Sequence, residues 1–116
     1  MASLGMEGPY NMDIATIEAH IAQMSPGNYA LGRENEKGQF LIGCVGRSDS
    51  DIGTGLKLWV GRTDRPLFKF SYAISAEAAF EKECDNYHDF KRSTKEAHPN
   101  RPVGTNFRCA HCDIFD

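Results

Sequence analysis

The chain has 116 residues, 41% of them hydrophobic and 25% charged, with a formal net charge of -3. That length accommodates one domain with one modest core, and the composition excludes a disordered or fibrous chain. The slight acidity excludes indiscriminate polyanion binding, so a nucleic-acid contact must come from a local basic surface.

Residues 1–12, MASLGMEGPYNM, carry Gly, Pro and Asn without periodicity and read as a disordered leader to a single domain over 13–116. They lack the basic-then-apolar order of a secretion signal, and no apolar run in the chain is long enough to span a bilayer. A cytoplasmic protein is expected. Asp13 is a good helix N-cap, and Ile14, Ile17, Ile21 and Met24 follow at helical spacing until SPG at 25–27 stops the helix. NYALG then predicts a strand and RENEKG a charged turn. QFLIGCV, continuously apolar, predicts a buried central strand that completes a hairpin.

SDSDIGTGLKLWVG opens with capping residues and places Ile52, Leu56 and Trp59 or Val60 at helical spacing, which predicts a short helix weakened by Gly53 and Gly55. FKFSYA alternates, with Phe68, Phe70 and Tyr72 on one face and Lys69 and Ser71 on the other, as a half-buried strand does. Ser75 caps the strongest helix, along which Phe80, Cys84 and His88 recur every four residues. After Phe90 the chain is rich in Pro, Gly, Asn and charge. The predicted tail over 91–116 is irregular and needs something other than a core to hold it.

The four cysteines suggest what that is. Without a secretion signal thiols stay reduced, so metal ligation is favoured over disulfides. Cys84 and His88 lie one helical turn apart on one face, and Cys109 and Cys112 form a C-x2-C pair. Together they offer Zn²⁺ a Cys3His set, with His98 and His111 as competing ligands. Four protein ligands leave no open position, so such an ion is structural and staples the tail to the last helix.

GNY at 27–29, CVG at 44–46, DIGTGLKLW at 51–59, a third strand and Glu83 on the following helix resemble, in that order, the GIY-YIG nuclease superfamily. The likeness covers about residues 26–90, and it extends to members whose last helix reads E-C-x3-H and whose tail carries HP and C-x2-C, here Glu83, Cys84, His88, His98-Pro99 and CAHC. It implies a small α+β domain, a three-stranded antiparallel sheet flanked by helices. The activity it implies is metal-dependent DNA endonuclease action on phosphodiesters with one Mg²⁺ or Mn²⁺. Tyr29 fits the tyrosine that helps activate water, Gly46 the glycine of the second motif, and Glu83 the ligand of the catalytic cation.

Cys44 stands where a second tyrosine is expected, Gly55 where a helix arginine is expected, and Trp59 at a usual histidine position. A fixed cation facing the developing phosphate charge is commonly worth about a hundredfold to a thousandfold in rate. Its loss leaves two readings, an impaired nuclease or an inactive nuclease-derived module that binds nucleic acid or protein. Arg47, directly after the second motif, is the nearest substitute. Arg62 and Arg65 follow the short helix. Arg47, Lys57, Arg62 and Lys69 gathered around the sheet would suffice for salt-dependent binding of DNA phosphates. Asp49 and Asp51 read as turn and N-cap residues rather than metal ligands.

Overall fold

The computed structural model describes residues 4–94, 98–112 and 114. Its elements run β1 (Glu7–Asn11), α1 (Ile14–His20), β2 (Gly27–Glu34), β3 (Phe40–Ser48), α2 (Ile52–Lys57), β4 (Leu67–Tyr72) and α3 (Ala76–Thr94). The helices start where their caps require. Asp13 accepts the Thr16 backbone N–H at 2.7 Å, Asp51 accepts that of Gly53 at 3.1 Å, and Ser75 Oγ accepts that of Ala78 at 3.1 Å, each satisfying a donor that has no intrahelical partner.

The fold is α+β with an antiparallel sheet in the order β1-β4-β2-β3. It has four strands rather than the expected three. The extra one, β1, comes from the stretch read as a leader and pairs Tyr10 with Phe68 and Asn11 with Leu67; of that stretch, residues 1–3 lie outside the described residues. The sequence hides β1 because an edge strand pairs through its backbone and needs no apolar alternation. The same order makes β3 an edge strand, not the central one its apolar run suggests.

Strand alternation sorts the core into two layers. Tyr29, Leu31, Cys44, Phe68 and Phe70 pack against Ile17 and Ile21 of α1 and Ile52 and Leu56 of α2. Ala30 and Val45 face the other way, toward Phe90 of α3 and the N-terminal Leu4 and Met6. Phe40 and Ile42 share that second layer although they have the same parity as Cys44. The pairing register explains this, since Leu31 opposes Cys44 but Gly32 opposes Ile42, leaving Gly43 as a bulge that reverses the facing of the strand. A side chain at Gly43 would collide with Arg65, whose Nη2 donates to the Gly43 carbonyl at 3.3 Å.

Among the described residues no helix is long and apolar enough to cross a membrane. The tail over 98–112 contains no regular element, as its composition predicts. Asp51 also accepts from Thr54 Oγ1 at 2.8 Å, so it is the main local constraint on where α2 begins. Asp51→Ala is expected to lower stability by about 1 kcal/mol, read as a lower urea midpoint at unchanged slope.

Candidate functional site

Two regions concentrate chemistry. The first lies between α3 and the tail, where ligand atoms of His88, His98, Cys109 and Cys112 all fall within 4.8 Å of one another. Cys112 Sγ and His98 Nε2 are 3.3 Å apart, close to the roughly 3.5 Å edge of a tetrahedron with ordinary zinc bond lengths. His98 Nδ1 lies 2.9 Å from the Pro99 carbonyl; protonated there, it donates to that oxygen and leaves Nε2 as the ligand atom, the usual outer support of a metal-binding imidazole. The His111 backbone N–H donates to Cys109 Sγ at 3.4 Å. Burial opposes ionisation of Cys109, but that N–H together with His98, Cys84 and Cys112 outweighs it and brings the thiol down to about 7. Two sulfurs and two imidazoles at this spacing could hold a metal ion such as zinc.

The group differs from the expected Cys3His set at one position. His98 takes the place of Cys84, whose side chain is fully buried with Phe80 beside Cys109. Burial first, then the hydrogen bond with Cys109, pushes the Cys84 thiol up. His111, the other competing ligand, stays outside the group and pairs with Asp85. Helical spacing identifies Cys84 and His88 as neighbours, but only the path of the tail brings His98 round to His88.

The second region is a cleft of ≈ 390 Å³ at the β3 edge, lined by Tyr29, Arg47, Ser48, Gly55, Leu58, Trp59 and Arg62. Tyr29 lies across Gly46, where any side chain would collide with the phenol ring. The Trp59 indole N–H donates to the Tyr29 hydroxyl at 2.8 Å. Since indole can only donate, this bond occupies a lone pair of the phenol oxygen and fixes the ring in place. The spacing of the sequence does not announce that contact.

Arg47 projects from the same strand toward α3. Its Nη1 donates to Glu83 Oε1 at 2.5 Å and its Nε to Asp49 at 2.7 Å, and the guanidinium carbon sits 5.2 Å from the Phe80 ring centroid. Burial works against its charge, but the hydrogen bonds to Asp49 and Glu83 and the attraction of both carboxylates raise its pKa further. Asn28, paired with Arg47 across the strands, donates from Nδ2 to the Ala79 carbonyl at 2.8 Å and fastens α3 one turn before Glu83.

Tyr29 and Glu83 therefore belong to opposite layers and are linked through Arg47 rather than facing each other directly. Arg62 reaches the cleft. Lys57 instead pairs with Glu18 at 3.2 Å, and Lys69 lies over Phe40 at 5.0 Å on the α3 side, so the expected gathering of four cations reduces to Arg47 and Arg62. Gly55, on the cleft wall where an arginine was expected, packs closely on Ser48, whose Cβ would lie 3.2 Å from any side chain added there. Arg65 is occupied at the bulge.

The metal-ligand group yields a direct test by elemental analysis of purified protein. His98→Ala and Cys109→Ser are expected to lose at least about nine-tenths of the bound metal, since either leaves a tetrahedral site one ligand short, while Cys84→Ala keeps it. Loading is expected to fall on acidification, because protons compete with the ion for the Cys109 and Cys112 thiolates and for the two imidazoles. No protein-family model matches the chain, and no curated protein and no solved structure is similar to it.

Proposed function

We propose that the chain is a metal-dependent DNA endonuclease of GIY-YIG type whose tail is held by a structural zinc ion. The observation that carries this reading is the pairing of Tyr29 and Arg47 on one cleft, with Glu83 bound to Arg47 from the neighbouring layer. Phosphodiester hydrolysis needs a positioned water and fixed positive charge around the phosphate. Tyr29, immobilised by Trp59 and by its bed on Gly46, holds the attacking water. Arg47 and Arg62 face the charge that grows on the phosphate oxygens, and together they take over the task of the arginine missing at Gly55.

Glu83, with Asp49 on the same guanidinium, is the carboxylate suited to Mg²⁺ or Mn²⁺. Water and the substrate phosphate complete such a shell, because Mg²⁺ commonly binds through one or two carboxylates. When bound, the ion supplies Lewis acidity at the phosphate. The donor set of the tail is of the other kind, thiolate and imidazole, and fits zinc with all four positions filled.

Arg47 is held by two carboxylates, an arrangement that equally serves a nuclease-derived module that binds phosphate without cutting. Nicking of supercoiled plasmid, together with cleavage of a labelled single strand, separates the two. Activity is expected with Mg²⁺ or Mn²⁺ and is lost when the divalent ion is omitted, a better control than chelation, which would also strip the tail. Tyr29→Phe and Glu83→Gln are each expected to reduce nicking by about a hundredfold or more. Salt-dependent DNA binding with no cleavage in either ion would replace the nuclease reading by the binding module.

A further inference from the structure

The cleft that holds Tyr29 has a wall that phosphate chemistry alone does not require. Leu58 is 61% exposed beside the half-buried Trp59, at the end of α2. Its side chain presents apolar surface in the cleft that Arg47 and Arg62 also line. Arg62 is exposed and has no carboxylate partner among the described residues, unlike Arg47. Its backbone N–H donates to the Trp59 carbonyl at 2.9 Å, which fixes the turn that carries both residues. Trp59 cannot rotate away without breaking its bond to Tyr29.

A duplex does not complement this surface. It offers phosphates to cations, but its base faces are stacked and its edges paired, so an apolar wall next to the phosphate would meet only sugar. An unpaired nucleotide offers both a charged phosphate and an apolar base face. The ≈ 390 Å³ cleft lies at the small end of the range of about 300–1,000 Å³ typical of small-molecule sites, enough for one nucleotide. We infer that the cleft takes a single unpaired nucleotide of a DNA strand, its base against Leu58 and Trp59 and its phosphate against Arg62. This rests on the nuclease reading for the nature of the polymer, and it makes single-stranded or branched DNA the substrate class.

Trp59 is the only tryptophan in the chain, so its fluorescence reports the cleft without a label. Binding is measured without divalent ions, using a short single strand and, as the paired control, a hairpin in which that sequence is joined to its complement by a non-nucleotide loop. The single strand is expected to bind at least about tenfold more tightly and to quench the emission, the range expected from stacking one base. Leu58→Ser, a surface change, is expected to weaken the single strand by about tenfold and leave the hairpin unchanged. Arg62→Ala is expected to weaken both and to flatten the salt dependence. Equal or tighter hairpin binding, an unmoved emission, or no binding at all overturns the inference. A protein that binds the single strand in this way but never nicks DNA sinks the nuclease reading and leaves this one standing.

Discussion

The ion pair between Arg47 and Glu83 joins the edge of the sheet to the helix that carries His88, and most of the chemistry is arranged around it. Both side chains are nearly buried, at 11% and 13% exposure, so neither charge could remain there alone. Removing one partner of a buried pair commonly costs about 3–5 kcal/mol, because the other is left desolvated and unpaired. Asp49 shares the guanidinium and Phe80 lies beneath it, so Arg47 has little freedom to swing. The pair thus braces the edge of the sheet against α3.

Most of the fold is legible in the sequence because its signals are local. Asp13, Asp51 and Ser75 mark helix starts by the donors they satisfy, and the alternation of Phe68 and Phe70 against Lys69 marks a strand whatever its neighbours. Features that depend on a partner far along the chain are not legible. Glu7–Asn11 forms a strand only because β4 offers it an unpaired edge, and the reversal at Gly43 is visible only in the register with Leu31 and Gly32. Without that register, Phe40 and Ile42 would be assigned to the wrong layer.

The candidate sites divide in the same way. Cys109 and Cys112 are recognisable by their own spacing, and His88 by its place on α3. The choice between Cys84 and His98 depends on how a tail without regular structure returns to the helix, which brings His98 within reach of His88, Cys109 and Cys112. In the cleft, Tyr29 and Arg47 can be singled out from the order of short motifs. The support that Trp59 gives to Tyr29 cannot, because a residue thirty positions away is brought alongside only by α2 packing on β2.

The bulge at Gly43 bears on how this molecule behaves at high concentration. An outer strand displays a row of unpaired amides and carbonyls, and a flat one invites a strand from another chain to extend the ladder. Here the row is interrupted midway, the two halves turn their side chains to opposite sides, and the Arg65 guanidinium takes one of the carbonyls. An incoming strand could follow only a few residues before losing register. The kink thus acts as a guard against self-association and fibril growth along the flank that borders the cleft.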